Sequence, residues 1–339
     1  MLHLVPFREI GTRIGPSQEL NKLIYWSPYR RPALRAQSTA FLLAAAAGVI
    51  LAAQERVAIT PRPKPATAPV ARANLRMDVS MVQIPVTVTD LRGAPVMGLD
   101  RENFRVFEDD VERPVAALSV SDAPISAGIV YDTSRSMRPR LEPSRIAVEQ
   151  FLKTSGSKDE FFLVRFSDQA EIMVPFTNQP DEISRSLSSL DARGWTALLD
   201  AICLATHQVR KGKYQRRVLV VLTDGDDNNS RYSMGELISM LREADVRVYA
   251  ISMIERPRSL QRICEETGGR AVWVRKMAEL PGAMEELSRQ IRSEYLVSYH
   301  PVDLQSDGRY HRVRIEVAPP AGADKVYSSW RRGYMAPDE

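Results

Sequence analysis

The sequence has few of the residues on which many enzymes depend. It contains only four histidines and two cysteines in 339 residues, and neither type is spaced as a zinc site or a hydrolytic triad requires. It also lacks a glycine-rich phosphate-binding loop of the P-loop or dinucleotide-binding kind. These absences argue against zinc hydrolases, nucleotide-dependent enzymes and Ser-His-Asp hydrolases. We therefore predict that the protein is not an enzyme.

The two cysteines leave one structural question open. Cys203 and Cys264 fall in separate predicted helices and form no C-x-x-C pair. An even count permits a disulfide in an exported protein. The alternative is that both are small, buried, apolar residues.

The excess of positive charge lies in one short segment. The chain has 46 basic and 42 acidic residues and a net charge of +4. Residues 1–37 hold six of the basic and two of the acidic side chains, which leaves 40 of each for the remainder. Because the main part of the chain is balanced, its charge gives no reason to expect a nucleic-acid partner.

An apolar stretch near the N-terminus has the pattern of a targeting segment. Arg30, Arg31 and Arg35 precede residues 40–53, fourteen uncharged and mostly apolar positions. This length fits the apolar region of a secretory signal peptide, about 7 to 15 residues, better than a spanning helix of about 20. We expect residues 1–53 to be a cleaved signal peptide or, alternatively, an uncleaved inner-membrane anchor; a soluble core helix is the remaining possibility. Either targeting role predicts an exported protein, periplasmic, extracellular or anchored to the inner membrane, which touches the membrane only through this segment and only if the segment is uncleaved.

Proline marks the next segment as a linker. Residues 54–75 contain four prolines among Ala, Thr and basic residues, a composition typical of an extended, semi-rigid spacer. A disordered tail is the alternative, and it would separate the flanking parts in much the same way.

Beyond the linker the apolar pattern becomes that of β-strands. Apolar and polar residues alternate, with the period of a half-buried strand, over 82–89 and 312–317. Residues 103–108, with Phe104 and Val106 on one face, predict another strand, and residues 325–330 predict a further short one. Because two strands cannot close a sandwich, we predict a small β-sandwich-like domain formed by residues 76–122 and completed by residues 300–336.

Residues 123–299 alternate between strand and helix patterns throughout. Strands are predicted over 125–131, 160–166, 171–176, 218–223, 246–254 and 271–274, and helices over 143–154, 181–190, 197–209, 233–244, 259–267 and 280–294. Such alternation favours an α/β fold, a doubly wound and mainly parallel Rossmann-like sheet covered by helices on both faces. Ile146, Val148, Phe151 and Leu152 are expected to pack their helix onto that sheet.

Oxygen-bearing side chains follow the ends of the predicted strands. They are, in chain order, Asp132, Ser134, Ser136, Thr196 and Asp224. The first three occupy every second position after a strand, so one turn can direct them to a single point. In an open parallel sheet, ligands bind beyond the carboxyl ends of the strands, and Mg²⁺ takes about six oxygen ligands. The pattern therefore predicts a metal site.

The same residues carry a family resemblance. Asp132-Thr133-Ser134-Arg135-Ser136, then Thr196, then Asp224-Gly225 resembles the complete metal-ion-dependent adhesion site of von Willebrand factor A domains. The resemblance covers roughly residues 124–299. It implies Mg²⁺, or else Mn²⁺ or Ca²⁺, bound directly by the two serines, largely through water by the two aspartates, and directly or through water by the threonine. It also implies that an Asp or Glu carboxylate of a partner protein completes the shell.

A second, shorter resemblance lies before this region. The pattern V-T-V-T-D, G-x-P-V and F-x-V-x-E-D within residues 86–109 is similar to exported bacterial proteins described as von Willebrand factor A-related.

The resemblance to A domains further implies that ligand binding shifts the Thr196 loop and slides the last helix, near 280–294. For this chain that coupling is a hypothesis.

Every position of the motif also has a structural interpretation. Ser134, Ser136 and Thr196 are common helix caps, and Asp224-Gly225 is an ordinary turn sequence. The neighbouring acids Asp226 and Asp227 could hold a second ion or form a solvated acidic loop.

Four larger side chains are expected to surround the metal: Arg135, Arg138, Arg193 and Trp195. Arginine and aromatic residues are enriched at binding hot spots, so this rim could bind an acidic partner; a solvated rim is the alternative. We therefore predict an extracytoplasmic, metal-dependent protein-binding module. A metal-free scaffold of the cell envelope is the second hypothesis, and a metal-dependent hydrolase is a third.

Overall fold

The computed structural model describes residues 81–253, 256–301, 308–319 and 325–337. The predicted targeting segment and linker lie outside these ranges. Within the described part, no helix is both long and apolar enough to cross a membrane.

The described residues form fourteen strands and six α-helices. The strands are β1 (Val82–Thr89), β2 (Phe104–Glu108), β3 (Val111–Arg113), β4 (Val115–Ser121), β5 (Ile125–Asp132), β6 (Glu160–Phe166), β7 (Ala170–Thr177), β8 (Arg216–Thr223), β9 (Val246–Met253), β10 (Ala271–Val274), β11 (Glu294–Tyr299), β12 (Tyr310–Val317), β13 (Tyr327–Trp330) and β14 (Gly333–Met335). The helices are α1 (Leu141–Lys153), α2 (Pro180–Ser188), α3 (Leu198–Val209), α4 (Met234–Ala244), α5 (Arg258–Thr267) and α6 (Leu280–Arg292).

Six of the strands form one sheet in the order β10-β9-β8-β5-β6-β7. All neighbours are parallel except β7, which runs antiparallel to β6 at the edge. Residues of α1, α2 and α6 share a hydrophobic core with one face, and residues of α3, α4 and α5 with the other. This burial on both faces explains why β5 is buried over its whole length. The predicted doubly wound α/β fold is confirmed.

The strand order places β5 and β8 side by side at the point where the chain changes direction across the sheet. From β5 the chain proceeds to β6 and β7 on one side, and from β8 to β9 and β10 on the other. Loops that leave two such neighbouring strands diverge and open a crevice between them. The site described below lies there.

The remaining eight strands form two four-stranded sheets, β13-β1-β11-β4 and β14-β12-β2-β3. Each sheet combines strands from before and after the α/β segment. Their facing sides share one hydrophobic core, which includes Val86, Val106, Val297 and Ile315. The alternating pattern of β1 holds only in part, because Thr87 and Thr89 are buried as well.

Some element boundaries differ from the predictions. The last helix was predicted to reach residue 294, but α6 ends at Arg292 and Glu294 begins β11, which pairs with both β1 and β4. Strand β4 was not predicted. The prediction that Ile146 packs on the sheet is wrong, since its side chain is 47% exposed, whereas the other three expected packing residues of α1 are buried.

Buried ion pairs connect the junction between α6 and β11 to the amino end of the six-stranded sheet. Glu294 is fully buried and pairs with Arg247 at the start of β9 and with Arg216 at the start of β8, the latter at 2.8 Å. Burial disfavours a charged Arg247, but the carboxylate of Glu294 outweighs this and raises the pKa of the arginine. Arg292 pairs in the same way with buried Asp159.

Both cysteines are free, buried thiols. Cys203 on α3 and Cys264 on α5 belong to the same hydrophobic core. Burial raises the pKa of Cys203 to about 12 and also raises that of Cys264. They act as small apolar side chains, the alternative to a disulfide.

Candidate metal site

Asp132, the last residue of β5, lies at the base of the site and is fully buried. Its Oδ1 atom accepts a hydrogen bond from the backbone N–H of Ser134 at 2.7 Å, and its Oδ2 atom accepts one from the Thr223 hydroxyl at 2.6 Å. Burial in a poorly solvated position raises the pKa of Asp132 to about 6, despite these donors. All its partners named here are neutral, so its negative charge is not balanced by them.

The serine hydroxyls connect this aspartate to Asp224 at the end of β8. Ser134 is buried and Ser136 is exposed, and their Oγ atoms lie 3.1 Å apart. The Ser136 hydroxyl donates to Asp224 Oδ1 at 2.7 Å. Four of the five predicted ligand residues are thus joined in one hydrogen-bonded cluster between neighbouring strands.

Asp224 also receives a cationic partner. Arg140, at the end of the 3₁₀ turn Arg135–Arg140, donates through Nη1 to Asp224 Oδ2 at 2.6 Å and to the Ser136 carbonyl at 2.5 Å. The side chain of Asp224 is 3% exposed and that of Arg140 is 20% exposed. This ion pair was not anticipated from the sequence.

Thr196, the fifth predicted ligand, is buried. Its turn is hydrogen-bonded to the loop after β5, which carries Ser134 and Ser136. The backbone N–H of Arg135 donates to the Gly194 carbonyl at 3.1 Å, and that of Arg193 to the Thr133 carbonyl at 2.8 Å. Gly194 has φ = +80°, and a Cβ there would lie 2.2 Å from the carboxylate of Asp168. Glycine is therefore needed at this position.

The loop after β8 fixes the same turn from the other side. Asn228 Oδ1 accepts from the backbone N–H of Thr196 at 2.9 Å, and the Asn228 N–H donates to the Thr196 carbonyl at 3.0 Å. Asp227 Oδ1 accepts from the N–H of Leu199 in the first turn of α3 at 3.2 Å. Helix α3 begins after Ala197, so its N-cap is one residue later than the predicted Thr196.

The structure accounts for the two neighbouring acids without a second ion. Asp227 also accepts from the Ser230 hydroxyl at 2.5 Å, and Asp226 accepts from Ser259 and from the N–H of Asp227. These contacts hold the loop to α3 and α5, which is more specific than the solvated loop that the sequence suggested.

The four predicted rim residues lie at the surface around this cluster. Arg135, Arg138 and Arg193 are exposed, and Trp195 is 66% exposed. Trp195 is nevertheless fixed at its backbone, where its N–H donates to Asp168 Oδ1 at 2.9 Å. The rim therefore combines an apolar ring on an anchored turn with exposed cationic side chains.

The donor set fits a hard divalent cation. It consists of carboxylate and hydroxyl oxygens alone, the ligands that Mg²⁺ prefers. With metal–oxygen bonds of 2.0–2.1 Å, neighbouring ligands of an octahedron are about 2.9 Å apart. The hydroxyl oxygens of Ser134 and Ser136, the two expected direct ligands, lie 3.1 Å apart, which is close to this value. The described residues contain no cluster of three or more His, Cys, Asp or Glu side chains that could hold a metal, so any such site depends on the hydroxyls.

Sequence reasoning missed three supporting residues. Thr223 and Asn228 were close in sequence to predicted ligands, and the polar run after β8 was a usable signal for the second. Arg140 lies four residues after Ser136, but Arg135 and Arg138 are as close and do not pair with Asp224. No pattern in the sequence separates these arginines.

Part of this region is similar to known proteins. Residues 128–226 match the family model described as von Willebrand factor type A domain. An uncharacterized protein of Borreliella burgdorferi is 29% identical over 143 residues, which are 38% of this chain and 42% of that protein. Inter-alpha-trypsin inhibitor heavy chain H4 of Sus scrofa is 27% identical over 135 residues, 37% of this chain and 15% of that protein. The chain thus spans less than half the length of either relative.

Solved structures also resemble the chain. A von Willebrand factor type A protein from Catenulispora acidiphila aligns with 77% of this chain and 74% of its own, at 12% identity and a TM-score of 0.48. Proximal thread matrix protein 1 from the mussel byssus, solved with a zinc-occupied MIDAS motif, aligns with 55% of this chain and 50% of its own, at 18% identity and a TM-score of 0.47. The zinc belongs to the mussel protein.

Proposed function

We propose that this chain, which contains a von Willebrand factor type A domain, is a metal-dependent protein-binding module. Asp132, Ser134, Ser136, Thr196 and Asp224 would hold a divalent cation, Mg²⁺ or else Mn²⁺ or Ca²⁺. The observation that carries this proposal is the cluster of two buried carboxylates and two hydroxyls at the meeting point of β5 and β8.

The bound cation would supply a Lewis-acidic position for one carboxylate oxygen of a partner. The chain's own contribution is to arrange the donors before the cation arrives. Ser134 N–H and the Thr223 hydroxyl fix the carboxylate of Asp132. The Asn228 side chain fixes the turn of Thr196. Such prearrangement lowers the conformational cost of binding.

The rim supports an acidic protein partner. Three arginines and Trp195 are exposed around the site. A cationic surface raises the rate at which an anionic partner meets it, and exposed tryptophan and arginine side chains are enriched at binding hot spots. We propose that the partner presents an Asp or Glu side chain to the site.

The targeting pattern supports a proposal about where this activity takes place. The segment 1–53 suggests export, followed by release or retention at the inner membrane. We accordingly propose a role in the periplasm, at the cell envelope or outside the cell. Among the described residues, no histidine is bonded to the hydroxyls and carboxylates of the cluster, which supports a binding role rather than triad hydrolysis.

A metal-free scaffold is the second candidate, and one observation favours it. Asp224 is already neutralised by Arg140, so part of the charge that attracts a cation is offset. In that case the rim would bind a partner equally well with and without metal.

Isothermal titration of the purified full chain with Mg²⁺, Mn²⁺ and Ca²⁺ tests the proposal. We expect saturable binding that Asp132→Asn abolishes and that Asp226→Asn, on the exposed loop nearby, leaves unchanged. Equal and unsaturable signals from wild type and Asp132→Asn at millimolar metal would reject the metal site and favour the scaffold.

A further inference from the structure

We propose that the Arg140 guanidinium is a built-in cation that competes with the divalent metal for Asp224. Metal binding would then require Arg140 to leave Asp224 Oδ2, and the arginine would set how tightly the site holds its metal. This inference rests on the proposed function and extends it to the control of that same site.

The hydrogen bonds show that Arg140 already binds a carboxylate oxygen of Asp224, one of the residues that would hold the metal. Both carboxylate oxygens of Asp224 have a partner: Oδ1 accepts from Ser136 at 2.7 Å and Oδ2 accepts from Arg140 at 2.6 Å. The same Nη1 atom donates to the Ser136 carbonyl at 2.5 Å. Arg140 therefore binds at two residues of the predicted ligand set.

Electrostatics makes this occupation competitive rather than supportive. A divalent cation and a guanidinium that share one buried carboxylate repel each other, and the repulsion is strong where solvent screening is weak. Asp224 is nearly inaccessible, with 3% of its side chain exposed. The metal therefore binds more favourably once the guanidinium has moved away.

The position of Arg140 permits that movement. Its backbone is the last residue of the 3₁₀ turn that begins after Ser134, and it is also the N-cap of α1. Its side chain is 20% exposed, so the guanidinium can exchange Asp224 for water without disturbing the core. A long arginine side chain has several rotatable bonds for this purpose.

Two neighbouring arginines show that proximity in sequence does not create this contact. Arg135 and Arg138 are exposed, and neither forms an ion pair with another residue in the described ranges. They share the charge of Arg140 but not its hydrogen bonds. Arg138→Gln is therefore a matched control for a charge change on the same turn.

The test measures metal affinity by isothermal titration of the full chain with Mg²⁺ and Mn²⁺. We expect Arg140→Gln to bind each metal on the order of tenfold more tightly than wild type, because the competing charge is removed. Arg140→Lys, which keeps the charge, and Arg138→Gln should stay within about threefold of wild type. An affinity of Arg140→Gln equal to or weaker than that of wild type would overturn the competition.

Thermal unfolding, followed by circular dichroism, provides a second readout. Because Arg140→Gln leaves Asp224 without its ion pair, this variant should be less stable than wild type in EDTA and should gain more stability from saturating Mg²⁺. An equal gain in wild type and Arg140→Gln would contradict the proposal. Silence of every variant in both experiments would instead reject the metal site, and the competition with it.

Discussion

The two ends of the six-stranded sheet both contain buried carboxylates, but the groups that satisfy these carboxylates differ. At the amino end, Glu294 is paired with two arginines, and Asp159 is paired with Arg292 and two backbone N–H groups. At the carboxyl end, the donors to Asp132 within the described ranges are neutral. A buried carboxylate that already has guanidinium partners serves the fold. One that has only neutral donors retains its attraction for a cation.

Asp224 lies between these two cases. It has one hydroxyl donor, as a metal ligand would, and one guanidinium, as a structural carboxylate would. This mixed environment is the reason for proposing that Arg140 regulates the site. Neutralising a carboxylate should therefore change the free energy of unfolding differently at the two ends of the sheet, because one end holds structural carboxylates and the other a metal-binding one.

Neutralising the structural carboxylate should have the largest effect on stability. Glu294→Gln leaves Arg247 and Arg216 buried without their anion, and we expect a loss of about 3–5 kcal/mol in the free energy of unfolding. Urea denaturation measures this loss. Glu285→Gln, which removes a partly exposed partner of the exposed Arg289, should cost less than about 1 kcal/mol. Equal stability of Glu294→Gln and wild type would show that the junction does not depend on the ion pairs.

Disturbing the turn of Thr196 should have an intermediate effect. In Gly194→Ala the new Cβ would meet the Asp168 carboxylate at 2.2 Å on a backbone with φ = +80°, so we expect a loss of about 1–3 kcal/mol. Metal affinity should fall as well, because the turn carries a predicted ligand. Gly225→Ala is the control, since no atom lies within 4 Å of its added Cβ. If both variants matched wild type in urea denaturation and in titration, the turn would not position the site.

Neutralising the candidate metal ligand should have a small effect on the metal-free fold. In Asp132→Asn the amide oxygen can still accept from Ser134 N–H, and the amide nitrogen can donate to the Thr223 hydroxyl. We therefore expect the free energy of unfolding in EDTA to change by less than about 1 kcal/mol. A loss as large as that of Glu294→Gln, measured by the same urea denaturation, would make Asp132 a structural residue and remove the contrast between the two ends.

The two cysteines, which lie in the hydrophobic core between the two ends of the sheet, should not react with thiol reagents in the folded protein. Burial raises the pKa of Cys203 to about 12, and a raised pKa lowers the thiolate fraction, so at pH 8 this thiol is almost entirely protonated. Cys264 is buried with a raised pKa too. We expect no labelling of either cysteine by a thiol reagent in the folded protein, and two labelled thiols after unfolding in denaturant without reductant. Fewer than two would reveal a disulfide, and fast labelling of the native chain would reveal an open core.

Most of the α/β framework could be predicted from the sequence, because buried parallel strands are apolar runs and their helices have an apolar face. The five ligand positions were found for a related reason: polar residues directly after such strands must lie at one edge of the sheet. Four of these positions form the observed cluster, and the fifth lies in a turn bonded to it. Whether they bind metal stays a prediction.

The ion pairs of Asp224 and Glu294 could not be predicted from the sequence, because they join side chains that are distant in the sequence and meet only in the tertiary structure. Arg140 reaches Asp224 across 84 positions of sequence, and nothing in the local pattern distinguishes it from its neighbours. Glu294 looked like the last residue of a helix. Only the tertiary structure shows that it enters β11 and meets two arginines from other strands. Ile146 was misassigned because helical periodicity alone does not define how wide the buried face of α1 is.

A crystal structure of the full chain with saturating Mn²⁺, using anomalous diffraction to locate the ion, tests the central claim most directly. We expect an anomalous peak within bonding distance of the hydroxyls of Ser134 and Ser136, with the Arg140 guanidinium moved away from Asp224 and the Glu294 ion pairs unchanged. A map without a peak between Asp132 and Asp224, with Arg140 still paired to Asp224, would contradict it.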